Sequence, residues 1–314
     1  MPTVVVLGAG AIGGLFAGHL GAVAPVWVVD PWAEHVAAIQ AAGLQLETRE
    51  GTRQVPVQAA TNGAAVAGTP VDLVVVAVKS TVTREAVAGL APHLGGRPVW
   101  LSVQNGLGNE EVIAELTGGP VLQGVTLNAA TVLAPGRVRQ ELRGPTWFGP
   151  HTAITVEEAR WVEELFGQAG MEVYLEADPR GAVWTKLLFN AGINPITALT
   201  RLPSARLVEL EETRALIAAV IREGMAVAEA LGVTLKEDPI EVALRPRPAG
   251  PAHFASMAQD IFRGRKTEVE ALNGAIVRLG EAHGVPTPLN QAIFALISAL
   301  EKSPWRQMAI PEES

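Results

Sequence analysis

A chain of 314 residues, 48% hydrophobic and 18% charged, carries apolar material for roughly two domains of ordinary size and excludes a disordered or collagen-like polymer. Its net charge of −8, with no basic tract, argues against nucleic acid or an anionic membrane surface as a partner. The absence of cysteine removes disulfides, thiolate nucleophiles and cysteine-ligated zinc together. Met1-Pro2 runs straight into an apolar segment without a basic n-region, and no stretch approaches the roughly 18 uncharged residues of a membrane span. A cytoplasmic location and no transmembrane helix are therefore expected.

Residues 3–7 form a β-branched run, and the glycines after them lead into a small-residue segment, 11–20, suited to a tightly packed helix. A second apolar run, 26–29, ends at Asp30. Further strand-like runs at 73–78 and 99–103 are separated by a helical pattern at 83–90, so strands alternate with helices to about residue 116. That alternation predicts a parallel, doubly wound sheet. From 119 to 148 short strand candidates with the turn Pro135-Gly136 suggest an antiparallel edge or a β-rich extension, closed by a helix at 156–169 and a strand near 172–175. After Asp178-Pro179 the spacing is helical at 182–200, 205–232, 252–262 and 267–283. The expected fold class is α/β, with a Rossmann-type domain over 1–177 and an all-α domain over 178–314. Residues 245–251 read as a loop and 304–314 as a loose tail.

Gly8-Ala9-Gly10-Ala11-Ile12-Gly13 fits the G-x-G-x-x-G pattern between a strand and a helix, the context a dinucleotide-binding turn requires. The first glycine allows the bend, the second admits a pyrophosphate and the third lets helix and strand pack closely. Asp30, 22 residues after Gly8, is placed to accept both ribose hydroxyls of an adenosine, which favours NAD over NADP. It also suits an Asp-Pro turn, and the two roles are compatible. Lys79-Ser80 and Gln104-Asn105-Gly106 each follow a strand, at the carboxyl edge where ligands bind. Asn105 offers a donor and an acceptor to a nicotinamide ribose or a substrate carbonyl, or is simply a residue of a turn.

In the second domain Lys186, Asn190 and Asn194 recur every fourth residue, and each such step advances a helix by about 400°, so they drift slowly along one face. Pro195 must remove a backbone bond or bend the helix. A solvated face would carry the same spacing, but two asparagines are poor helix formers for a mere surface. Thr267 and Glu270 have capping-box spacing, and by pattern alone Glu268 complements the dipole of a helix that starts there. The histidines at 19, 35, 93, 151, 253 and 283 show no metal-ligand grouping, and no metal is expected.

Together these residues make the chain similar to the 2-dehydropantoate 2-reductase (ketopantoate reductase) family over nearly its whole length. The matching pieces are G-A-G-A-I-G at 8–13, A-V-K-S at 77–80, Q-N-G-L-G at 104–108, W-T-K-L-L-F-N-A-G-I-N-P-I-T-A-L at 184–199, S-M-A-Q-D, and K-T-E-V-E-A-L-N-G. The resemblance implies a Rossmann domain joined to a helical one, with substrate and nicotinamide meeting in the cleft. It implies that Lys186 is the proton donor and that Asn190, Asn194 and Ser256 bind substrate. It further implies that Asn105 touches both ligands, that Lys79 and the Ala130 backbone lie near the cofactor, and that Glu268 lies beside it. Two positions depart from the family. Asp30 occupies the place where NADPH-using members commonly carry an arginine, and Ser204 replaces a longer substrate-contacting asparagine.

The implied reaction is reduction of 2-dehydropantoate to (R)-pantoate, a step of pantothenate and coenzyme A biosynthesis, with NAD(P)H as hydride source and NADH favoured by Asp30. The partners expected are a small 2-oxo acid and the cofactor, with no nucleic acid and no membrane; the sequence leaves a homodimer open. Rival readings are a reductase of the same fold acting on another branched 2-oxo acid, which Ser204 favours, and a non-catalytic nicotinamide-sensing module. Lys186 and Glu268 together argue against the sensor, which needs no proton donor.

Overall fold

Valine-rich runs such as Val4–Leu7 and Leu73–Val76 are buried on both faces, the condition of strands inside a parallel sheet covered on two sides. A computed structural model of the chain describes residues 1–246 and 254–303. The loop expected at 245–251 lies, beyond Arg245-Pro246, outside the described residues, as does the tail expected at 304–314. The chain divides into two compact units. One holds residues 1–104 and 108–179, and the other residues 105–107 and those from 180 onward.

The first unit carries β1 (Val4–Leu7), β2 (Val26–Val29), β3 (Leu44–Thr48), β4 (Gly51–Val55), β5 (Gln58–Ala60) and β6 (Leu73–Val76). It continues with β7 (Val99–Ser102), β8 (Val121–Thr126), β9 (Ala129–Ala134), β10 (Arg137–Leu142), β11 (Thr146–Thr152) and β12 (Val173–Leu175). Its helices are α1 (Ala11–Leu20), α2 (Ala33–Ala42), α3 (Thr83–Leu90), α4 (Asn109–Thr117) and α5 (Val156–Gln168). The main sheet has the order β12-β11-β8-β7-β6-β1-β2-β5. From β5 to β8 every pairing is parallel, and the six strands follow the doubly wound order in which ligands bind where the winding reverses, between β1 and β6. The antiparallel β11 extends it, as the run after residue 119 suggests.

Alternate residues of β1 enter different cores: Val4 and Val6 pack with Phe16, Phe148 and Phe166, and Val5 and Leu7 with Val66, Leu90 and Ile113. A second sheet, β4-β3-β10-β9, was not expected from the alternation of strands and helices. It explains the small residues of α1, because a Cβ at Gly14 would crowd Val138 of β10, and one at Gly18 would crowd Leu46 of β3.

The second unit is helical: α6 (Arg180–Thr200), α7 (Ser204–Leu207), α8 (Glu211–Ala230), α9 (Pro239–Leu244), α10 (Ser256–Phe262), α11 (Asn273–His283) and α12 (Pro288–Lys302). The single helix expected at 205–232 is two, separated at 208–210, and α9 and α12 are additions to the expected set. The helix expected from residue 267 begins at Asn273 instead, and the capping box is not formed. The backbone amide and hydroxyl of Thr267 both donate to Glu301 (2.6 and 2.5 Å), while Glu270 pairs with Arg278. At the crossing of α6 and α8, Gly192 lies against Ile221 and Gly224 against Leu188, with no room for a Cβ at either glycine.

Candidate active site

The three motif glycines have different surroundings. Gly8 has φ of +96°, which favours glycine, and a Cβ there would stand 2.7 Å from a Val78 methyl. A Cβ at Gly13 would overlap the Gly8 carbonyl oxygen. These two positions serve the packing of the chain itself. A Cβ at Gly10, by contrast, would find nothing within 4 Å, so the backbone here borders open space of the kind a diphosphate needs for close approach. Gly10 also caps α1 without a side chain, and no acidic residue occupies the first turn, which leaves a helix N-terminus suited to an anion. The motif residues Gly8 to Gly13 thus fit the phosphates of a dinucleotide.

Asp30 ends β2 and reaches back to this turn. Its Oδ2 accepts from the Ala9 amide (2.7 Å) and its Oδ1 from the Trp32 amide (2.9 Å). Each carboxylate oxygen is oriented by one backbone donor and retains capacity for another hydrogen bond, so the Asp-Pro turn and a ribose contact are compatible. Trp32 stacks on His35 with ring centroids 4.8 Å apart, and His35 Nδ1 accepts from the Gly136 amide.

At the carboxyl edge, half-buried Lys79 precedes the 3₁₀ turn Ser80–Val82; half-buried Ala130 lies in β9 of the second sheet. A buried polar network underlies the edge. Gln104 Nε2 donates to the Val78 carbonyl (2.7 Å) and to Thr83 Oγ1 (2.8 Å), and Thr83 donates to Asn109 (2.9 Å). Glu110, at the start of α4, is buried with one carboxyl oxygen unpartnered, and desolvation pushes it up to about 7.

Asn105, Gly106 and Leu107 belong to the helical unit. The Leu107 amide donates to the Ala271 carbonyl (3.0 Å), and Gly106, at φ +86°, passes so close to Ala271 that a Cβ would lie 2.5 Å from the same oxygen. This strap brings the Asn105 amide to Glu268 Oε2 at 3.4 Å. Glu268 in turn acts electrostatically on Lys186. Burial lowers the Lys186 ammonium to about 8, against the opposing pull of the Glu268 carboxylate. Lys186, Glu268 and Asn105 are thus one cluster, assembled from α6, the turn at 267–272 and the strap.

Asn190 and Asn194, on successive turns of α6, are 7% and 5% exposed, and neither side chain makes a hydrogen bond among the described residues. A solvated face is therefore ruled out; these amides are nearly enclosed and available to a ligand. Pro195 lies inside a helix that continues through it to Thr200. Ser204 is buried at the first position of α7, and Ser256 is exposed at the first position of α10. Neither hydroxyl hydrogen-bonds to the Lys186 cluster among the described residues.

Residues 4–153 match the family model described as ketopantoate reductase PanE/ApbA, and residues 178–301 match the model for its C-terminal domain. The chain belongs to the ketopantoate reductase family. A 2-dehydropantoate 2-reductase of Halobacterium salinarum is 35% identical over 302 residues, covering 95% of this chain and 99% of its own length. One from Pyrococcus horikoshii is 32% identical, with 95% and 97% covered. A solved ketopantoate reductase of this family from Ralstonia eutropha superposes with a TM-score of 0.87 at 37% identity, covering 96% of this chain and 98% of its own. A D-mandelate dehydrogenase solved with NADH and anilino(oxo)acetate shares the fold, with a TM-score of 0.86 at 23% identity and 96% and 98% coverage.

Within the ketopantoate reductase fold, three features went unread in the sequence. These are the strap at Gly106-Leu107, the Trp32–His35 stack and the buried Glu110. The glycine of Q-N-G was the one visible signal for the strap, and it served equally well as a simple turn.

Proposed function

We propose that this chain reduces 2-dehydropantoate to (R)-pantoate with a reduced nicotinamide cofactor. The observation that carries the reading is the Lys186–Glu268–Asn105 cluster beside two enclosed, unanswered asparagines, in a chain of this family. A bound nicotinamide supplies a hydride to the ketone carbon. Lys186, largely protonated near neutral pH, gives its proton to the carbonyl oxygen as negative charge develops there, and recovers one from solvent afterwards. Glu268 keeps the ammonium charged against the cost of burial. Asn190 and Asn194 hydrogen-bond and orient the substrate, Asn105 contacts both ligands, and Ser256 adds a hydroxyl. Gly8 to Gly13 hold the diphosphate, with Lys79 and the Ala130 backbone beside the cofactor.

Asp30 carries a preference for NADH. Its two oriented oxygens can accept both adenosine-ribose hydroxyls, whereas a 2′-phosphate would set like charges together and bring acceptors against acceptors. Residues 26–48 contain no arginine to offset that repulsion. The decisive experiment measures kcat/KM for NADH and NADPH at one ionic strength over a panel of branched 2-oxo acids. Fastest turnover of 2-dehydropantoate with NADH is the expected result, and no turnover of any 2-oxo acid, despite cofactor binding, overturns the assignment.

Ser204 favours a second reading, in which the oxo acid is a different branched one. Its short side chain, 3% exposed, stands where the family commonly presents a longer amide to substrate. The same panel separates the two.

A further inference from the structure

Pro195 leaves a gap in α6. It has no amide hydrogen, so the carbonyl of Ala191, four residues earlier, cannot receive its usual helical bond. Ala191 is buried and lies between Asn190 and Asn194, so this carbonyl belongs to the turn that carries both amides. A buried carbonyl without its donor is costly and frees the turn to shift.

The missing donor comes from elsewhere in the helical unit. Asn273, the fully buried first residue of α11, donates from Nδ2 to the Ala191 oxygen at 3.1 Å. The same nitrogen donates to Asn290 Oδ1 at 3.0 Å. With two acceptors facing it, this end of the amide must be the nitrogen, and Asn273 Oδ1 is left buried and unpartnered. Asn290 is itself held: its Nδ2 donates to the Val220 carbonyl (3.0 Å) and to Glu223 Oε2 (2.8 Å). Glu223 accepts the amides of Leu289 and Asn290, both at 2.9 Å, at the N-terminus of α12. A single hydrogen-bonded relay therefore runs from half-buried Glu223 of α8 through α12 and α11 to the broken turn of α6. Asn273 thus keeps its nitrogen on both acceptors, the Ala191 carbonyl and Asn290 Oδ1, while its own buried oxygen goes without a partner.

We propose that Asn273 is a positioning residue, whose bond to the Ala191 carbonyl substitutes for the amide that Pro195 lacks and so sets the separation and direction of Asn190 and Asn194 for the 2-oxo acid. This rests on the assignment of those asparagines to substrate.

The test is a double-mutant cycle on the full chain with Asn273→Ala and Pro195→Ala, because alanine at 195 restores the helix's own donor to Ala191. Asn273→Ala is expected to raise KM for the oxo acid by roughly 5- to 100-fold, with KM for the nicotinamide within about twofold, and adding Pro195→Ala is expected to recover most of the loss. A role in stability alone predicts a lower Tm with an unchanged KM for the oxo acid, and that result overturns the proposal. So does failure of Pro195→Ala to recover any of it. If Asn273→Ala does not fold, Asn273→Ser, which keeps a shorter donor, is measured in the same cycle and judged by the same split. If the wild type turns over no 2-oxo acid, the assignment of function has failed. Positioning is then read from amide hydrogen exchange over residues 186–200, which Asn273→Ala must accelerate and Pro195→Ala must restore.

Discussion

The glycine turn of the first unit and the polar stripe of the second, the two sites proposed for ligands, are built in opposite ways. The turn works through backbone, with Gly8 and Gly13 filled in by their own neighbours and Gly10 left facing open space. The stripe works through side chains, with Lys186 held against burial by Glu268, and Asn190 and Asn194 enclosed yet unanswered. A backbone site restricts which residue type can stand at each position and so writes itself into sequence. A side-chain site depends on what the fold brings alongside, and identical residues at identical spacing on an open helix would mean nothing.

The largest expected effect lies in the stripe. Lys186→Ala should lower kcat by roughly 10²- to 10⁴-fold with cofactor binding nearly intact, and steady-state kinetics beside direct nicotinamide titration checks both halves. A loss below about tenfold removes Lys186 from proton transfer. In the turn, Gly13→Ala should fold poorly or lose several kcal/mol (~3 or more), because the clash is with backbone. Gly10→Ala should keep its Tm within a few degrees but bind nicotinamide more weakly. If both variants lose stability equally, the distinction between packing and ligand glycines fails.

Asn190→Ala and Asn194→Ala should each raise KM for the oxo acid by roughly tenfold and KM for the nicotinamide far less. Equal rises in both would indicate a damaged helix instead. Asp30→Ala should shrink the proposed NADH preference, read as the ratio of kcat/KM for the two cofactors. A wild type that prefers NADPH would show that Asp30 is not the ribose acceptor.

The smallest effects are in pH dependence, where each unit has a buried ionisable group displaced by desolvation. Lys186, lowered to about 8, donates only while protonated, so the reduction rate should fall as pH rises through about 8. Glu268→Gln removes the charge that raises this value and should move the limb to lower pH. Glu110 is raised from 4.5 to about 7 and lacks any such counter-charge among the causes of its shift. The folded chain therefore holds its proton more tightly than the unfolded chain, and stability should decline as pH rises from about 4.5 through about 7. Thermal melts at pH 5 and pH 8 should differ less in Glu110→Gln than in the wild type.

Strand, glycine turn, helix and terminal aspartate were legible in the sequence because each follows from local rules. A β-branched run suits a pleat, a positive φ needs glycine, and a strand end presents its carboxyl edge. The four-residue recurrence of Lys186, Asn190 and Asn194 was legible too, since helical periodicity is local. The structure alone decided that this face is enclosed rather than wet, and that Glu268 lies in a turn and acts on Lys186 instead of complementing the dipole of a helix that starts at Thr267. The second sheet and the strap at Gly106 likewise pair segments far apart in the chain, β3 with β10 and Leu107 with Ala271. Such pairings depend on which of many compatible surfaces meet. Pro195 shows the division most plainly: its sequence position declares that Ala191 must lose a donor, but only the tertiary fold, which seats α11 on α8 and α12, brings Asn273 to replace it.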